Sequence, residues 1–191
     1  MKITLIKTFV RSVMAGICIG LGGAVYLSVG GPLGAVLFAF GLLSVIHYRL
    51  PLYTGQAGFF ETKTELAMLL LILLGNVVGC FLTGTCLGLP GNMGTAVIES
   101  RIAAGPVICF CRAIGCGIIM TLIVKAARDK SVVPLLYGIP VFILTGFYHS
   151  IADAFYLSVS GTFAPIEWLA VVFGNFVGCN VPRLLWYDRK P

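Results

Sequence analysis

Apolar residues run through this chain in long blocks, and the polar positions fall in short clusters between them. Six blocks reach the length of a bilayer crossing, at about residues 9–29, 33–60, 66–89, 102–124, 132–157 and 164–184. A spanning helix needs about 20 predominantly apolar residues. The blocks therefore predict an all-α membrane protein with six transmembrane helices. The first block follows Lys2, Lys7 and Arg11 as a signal peptide would, but it is long, rich in glycine and lacks a small-x-small cleavage site; it reads as a retained helix.

The second block is interrupted. "HYRLPLYTGQAG", residues 47–58, brings in His47 and Arg49, then Pro51, then the turn-like Thr54-Gly55-Gln56. Two readings are open: the helix ends in water near Ile46, or the break is buried and Gln56–Phe60 returns to helix. Non-helical backbone at membrane depth survives only where protein buries it or a wet cavity receives its polar groups. The fifth block has a comparable stretch, "TGFYHSIAD" at 145–153. His149 stands there with Ser150 beside it and Asp153 one helical turn on. An ionisable residue inside a span is a functional candidate by default. Phe142 precedes His149 by seven residues, and Phe38 precedes Leu42 by four, so each pair predicts a shared helix face.

The two halves echo each other. "GNVVGC" at 75–80 recurs as "GNFVGC" at 174–179, "RSVMAGICI" at 11–19 resembles "RAIGCGIIM" at 112–120, and His47 and His149 take comparable places. Three spans per copy is an odd number, so the second copy must lie inverted in the membrane. The expectation is one transmembrane domain, 1–191, made of a repeat over 1–100 and an inverted repeat over 101–191. Inverted repeats with discontinuous helices are a mark of transport folds, whose pathway lies near the midplane.

Composition sharpens this picture. Of 191 residues, 59% are hydrophobic and 10% charged, and the mean hydropathy is +1.02; a soluble domain carries about 25% charged residues. The net charge of +6 sits between spans rather than in a patch suited to nucleic acid. Lys2, Lys7, Arg11, Arg49, Lys63, Lys125, Arg128, Lys130, Arg183, Arg189 and Lys190 fall at the termini and in loops 2–3 and 4–5, with Arg101 and Arg112 opposite. The positive-inside rule then puts both termini in the cytoplasm. The seven cysteines lie in or near spans without the His or carboxylate partners of a metal site; they read as packing residues, and no cofactor is expected. An enzyme or redox protein built on His47, His149 and the cysteines lacks metal spacing, a haem motif and a nucleophile–base pair.

The residues of the interrupted blocks carry a resemblance. "GAVLFAFGLLSVIHYRLPLYTGQAGFF" resembles the second helix of the formate/nitrite transporter family, which reads Gly-Ala-x-Leu-Phe, Gly-Leu, then Ala-Glu-Leu-Phe-Thr-Gly-Asn. "GFYHSIADAFYL" at 146–157 resembles its Gly-Phe-Glu-His-Ser-Val-Ala-Asn-Met-Tyr signature, and "LLGNVVGC" and "FGNFVGC" resemble its third and sixth helices. The resemblance implies a homopentamer of six-helix, aquaporin-like protomers in a bacterial inner membrane. Each protomer has its own pore for small monovalent anions or their conjugate acids: formate, nitrite, hydrosulfide, lactate. It implies that Thr54 is the threonine of the loop interrupting helix two, Leu52 and Tyr53 constriction residues, Phe38, Leu42 and Phe142 the apolar brackets, and His149 the central histidine, linking transport to protons. Ser150 and Asp153 stand behind them, with Asp153 expected to orient His149. Three positions depart from the pattern: Pro51 for Glu, Gln56 for Asn, and Asp153 for Asn. A carboxylate at 153 opposes anion ingress unless a cation pairs with it, so a pore of the same fold for a neutral or cationic solute is the alternative.

Overall fold

The structure, a computed structural model, describes residues 2–185. Arg189 and Lys190, used in the charge argument above, lie outside the described residues. Among the described residues eight α-helices follow one another: α1 (Lys2–Val29), α2 (Gly31–His47), α3 (Tyr53–Gln56), α4 (Lys63–Cys86), α5 (Thr95–Arg128), α6 (Val133–Leu144), α7 (Ser150–Ser158) and α8 (Pro165–Asn180), with a 3₁₀ turn at Val181–Leu185. No strand occurs among the described residues.

Four helical stretches among the described residues are long and apolar enough to cross a membrane: Thr4–Val29, Lys63–Cys86, Thr95–Arg128 and Pro165–Leu185. The other two apolar blocks are cut. α2 has 17 residues and α6 has 12. At 1.5 Å per residue they span about 25 and 18 Å, short of the roughly 30 Å hydrocarbon layer. Each is followed by a non-helical bridge, 48–52 or 145–149, and then by a short helix, α3 or α7.

Local chemistry sets several of these limits. α4 opens with a capping box: Thr62 Oγ1 accepts the Glu65 N–H at 3.2 Å, and Glu65 Oε2 accepts the Thr62 N–H at 3.1 Å. Both otherwise orphaned donors of the first turn are thereby satisfied. α5 bends at Gly105, whose φ of 76° only glycine adopts without strain, and Pro106 follows it without a backbone N–H.

The helices pack through small residues. On α4, a Cβ on Gly79 would collide with the Val13 carbonyl oxygen of α1. On α8, a Cβ on Gly178 would collide with the Ile114 carbonyl oxygen of α5. Close backbone approach is what membrane helices use in place of a hydrophobic drive between them. Large apolar side chains such as Leu70, Val107 and Phe173 point outward at more than 60% exposure, which suits contact with lipid.

Two asparagines hold the helix breaks. Asn76 of α4 accepts the Tyr53 N–H at 2.8 Å and donates to the carbonyls of Ser12 at 2.8 Å and Pro51 at 3.0 Å. Asn175 of α8 accepts the Ser150 N–H at 2.8 Å and donates to the carbonyls of Ala113 and Tyr148, both at 2.9 Å. The partners occupy matching places in the two halves. Two thiols reach from the long helices to the short helix of the other half: Cys80 Sγ of α4 donates to the Ile151 carbonyl at 3.2 Å and Cys179 Sγ of α8 to the Thr54 carbonyl at 3.4 Å. These side chains thus satisfy backbone groups that the interruption of the helices leaves without a helical partner, among them the Tyr53 and Ser150 N–H and the Pro51 and Tyr148 carbonyls.

Candidate functional site

The first break begins at the surface and ends in the core. Tyr48 is 66% exposed, whereas Thr54 is fully buried, and Leu52, Tyr53 and Ala57 are buried too. The returning segment is internal, but its helix is Tyr53–Gln56, ahead of the Gln56–Phe60 expected, so Thr54-Gly55-Gln56 is helical rather than a turn, and α2 itself ends at the protein surface. Leu52 is extended and precedes α3, which places Tyr53 and Thr54 in the first turn of that short helix. Arg11 of α1 holds the α2 end by donating to the carbonyls of Tyr48 and Arg49 at 3.2 and 2.8 Å.

His149 is extended and caps α7: its Nδ1 accepts the Ala152 N–H at 3.1 Å. It stands before the helix, not within it. Because Nδ1 accepts a proton donor, it carries no proton itself, and the ring is the neutral Nε2–H tautomer. Nε2 lies 2.9 Å from Thr54 Oγ1. The two breaks therefore meet, and a polar pair from opposite halves of the chain faces each other inside an apolar shell.

Phe142 forms part of that shell, its ring 5.8 Å from that of His149, and Phe38 meets Phe142 edge-on at 6.3 Å. The spacing argument that joined Phe142 to His149 on one helix face does not apply, because α6 has ended at Leu144; the bridge turns the histidine back onto the phenylalanine. Leu42 and Leu52 are almost fully buried and border a cavity of about 470 Å³ near the C-terminal end of α5, along with Arg49, Arg128 and Lys130. A second cavity, about 310 Å³, lies near the N-terminal end of α5 and is bordered by Phe142, His149, Arg101, Asp153, Tyr26 and Tyr156. Phe38, Leu42, Leu52, Thr54, Phe142 and His149 are gathered between the two.

Three other predicted site residues, Tyr53, Ser150 and Asp153, stand outside that group. Tyr53 borders neither cavity; its hydroxyl donates to the Val172 carbonyl at 3.2 Å. Ser150 is fully buried, and its Oγ has no hydrogen-bond partner among the described residues. Asp153 does not orient His149, as the sequence reading expected. It is held by Arg101, with Nη2 to Oδ1 at 3.1 Å and Nε to Oδ2 at 3.3 Å. The physical reason is the break: with His149 extended ahead of the helix, a residue four places on faces across to α5.

Arg101, Asn76 and Asn175 carry work that the sequence reading did not assign. Arg101 had a signal in its position, as one of two cations on the less basic side. The asparagines had one in their repetition within "GNxVGC".

Compared with known proteins, the chain matches the formate/nitrite transporter family over residues 1–187. The chain belongs to that family. Among solved structures it is similar to an FNT family ion channel, with a TM-score of 0.85, 22% identity, and coverage of 97% of this chain and 91% of that one. It is also similar to a pentameric formate channel with formate bound, with a TM-score of 0.86, 19% identity, and coverage of 99% and 98%. No curated protein sequence matches. The family and these neighbours are channels and transporters, so the transporter reading stands and the enzyme reading falls. This family member accommodates its departures from the common pattern individually. The Pro51 carbonyl is taken by Asn76, and Gln56 Oε1 accepts from Arg128 Nη2 at 3.5 Å. Asp153 has its cation.

Proposed function

We propose that the protein is a channel for small monovalent anions and their conjugate acids, of the size of formate, nitrite or hydrosulfide. Its six membrane segments form two inverted three-helix repeats, 1–100 and 101–191, and five protomers assemble, each with its own pore. Both termini face the cytoplasm of a bacterial inner membrane. The observation that carries the reading is the His149–Thr54 pair, 2.9 Å apart, in the dry shell between two polar-mouthed cavities. The matched asparagine anchors in both halves support the repeat.

In this reading, Arg49, Arg128 and Lys130 draw an anion into the larger cavity. A bare charge cannot cross the shell of Phe38, Leu42, Leu52 and Phe142 cheaply, because burial of an unpaired ion costs many kcal/mol. The neutral acid pays far less. At the centre the permeant meets the Nε2–H of His149 as donor and Thr54 Oγ1 as donor or acceptor. For His149 to lend its own proton, Nδ1 must first be protonated and let go of the Ala152 N–H. The proton that accompanies the anion is therefore picked up in vestibule water or at the cost of opening that cap. A cationic solute loses its motive, since the Asp153 carboxylate is compensated by Arg101.

The test is a stopped-flow panel of formate, nitrite, hydrosulfide, lactate and acetate in proteoliposomes at two pH values. Flux rises as pH falls, and His149→Ala lowers it by at least about tenfold, the loss of one strong hydrogen bond. Flux independent of pH, or His149→Ala with unimpaired transport, defeats the proton-linked mechanism. Failure to conduct any of the five defeats the channel.

A further inference from the structure

The two cavities differ in charge. The one at the C-terminal end of α5 is bordered by Arg49, Arg128 and Lys130, with no carboxylate in its lining. The one at the N-terminal end is bordered by one cation, Arg101, and one anion, Asp153. These two form a fork-on-carboxylate pair, with side-chain exposures of 15% for Arg101 and 2% for Asp153. The guanidinium also lies over the Tyr148 ring, its Cζ 3.6 Å from the centroid. Arg112, from outside the cavity lining, donates to the Tyr148 hydroxyl at 2.8 Å. Arg101 is therefore fixed by a fork and a stack, the two contacts in which arginine is geometrically most selective. Asp153 sits in the first turn of α7, where the helix dipole favours negative charge.

From this cluster we infer that Asp153 is a specificity-determining residue: by occupying Arg101 it keeps this vestibule electrically neutral, so that anions are captured more strongly at the basic end of α5 than at the other. The inference rests on the anion-channel reading above. A permeant arriving at the Arg101 end finds its donor fork already filled. At the opposite end it finds three cations with no bordering carboxylate. The pathway thus has unequal mouths, and the inequality is written in one side chain.

A charge cycle tests this. Wild type and Arg101→Gln/Asp153→Asn are neutral at the vestibule, Asp153→Asn leaves it positive, and Arg101→Gln leaves it negative. Formate half-saturation is measured in right-side-out and inverted vesicles from cells lacking their own formate transport. From the Arg101 face, Asp153→Asn lowers half-saturation by at least about fivefold, as expected for one uncompensated charge within a few ångströms of the permeant at intermediate dielectric. Arg101→Gln raises it, and the double substitution brings it back to within about twofold of wild type. The opposite face moves little in all three. A double variant as impaired as the singles, or an Asp153→Asn that binds formate no better, overturns the inference in favour of a purely structural pair.

Wild type supplies a second test should a variant misfold. Half-saturation from the basic face rises with added inert salt, while that from the Arg101 face stays flat, since only uncompensated charge is screened appreciably. Equal salt slopes at both faces overturn the inference. The cycle is run with whichever ion of the five-anion panel the wild type carries, and vesicles that carry none of them overturn the channel reading instead.

Discussion

Replacing Asn76 by alanine removes the anchor of the first helix break while leaving every charged group in place. The side chain is fully buried and makes three hydrogen bonds. The Ser12 carbonyl belongs to α1 and keeps its place in that helix. The Tyr53 N–H and the Pro51 carbonyl belong to the bridge and have no helical partner to fall back on. Each stranded group costs about 1–3 kcal/mol, so Asn76→Ala is expected to cost about 2–6 kcal/mol. For a chain of this size 1 kcal/mol moves the melting temperature by about 2–4 °C, which predicts a loss of roughly 5–20 °C. The assay is thermal unfolding of the detergent-solubilised protein followed by size-exclusion fluorescence. Asn175→Ala should lose a comparable amount, because it strands the Ser150 N–H and the Tyr148 carbonyl in the same way. Asn76→Asp keeps the acceptor for Tyr53 but not the donor for Pro51, and buries a charge; it should fare no better than alanine. An Asn76→Ala protein that melts within about 2 °C of wild type would refute the view that these asparagines hold the breaks.

Two further substitutions probe the scaffold. Gly79→Ala forces α1 and α4 apart at the Val13 carbonyl and should destabilise by about 1–3 kcal/mol or more. Gly91→Ala, with nothing within 4 Å of the added methyl, should stay within about 0.5 kcal/mol; equal melting of the two would show that the close helix contact is not required. Thr62→Ala deletes one side of the capping box and should cost about 0.5–2 kcal/mol, with Thr62→Ser restoring it; unchanged melting of Thr62→Ala would mean that the α4 terminus is held by other contacts.

Much of the architecture was legible in the chain because membrane burial acts on local composition. A block of apolar residues needs no distant information to be recognised as a helix, and the helices found follow the apolar blocks to within a few residues at most ends. The N-terminal limits of α1 and α5 differ most among the long helices: they start at Lys2 and Thr95, ahead of the apolar runs that begin near 9 and 102. Arg101 therefore sits on helical backbone, one turn from a glycine–proline bend, where it can reach α7. Periodicity also led the reading astray at Phe142 and His149. Spacing was counted along a helix that does not exist between Leu144 and Ser150, and the contact arose for a different reason.

The sequence by itself determined that this chain lives in a membrane, where its apolar blocks lie, that its halves echo each other, and that two blocks are interrupted. The blocks and their interruptions are properties of hydropathy, proline and glycine read over a short window, and the echo is a match between two such windows, one in each half. Only the tertiary structure decided that Thr54 faces His149, that Asn76 and Asn175 take up the freed backbone groups, and that Asp153 belongs to Arg101 rather than to the histidine. Those are choices among many chemically acceptable partners. In an apolar interior the choice falls to whichever polar group the packing brings within about 3 Å, and no local pattern encodes that.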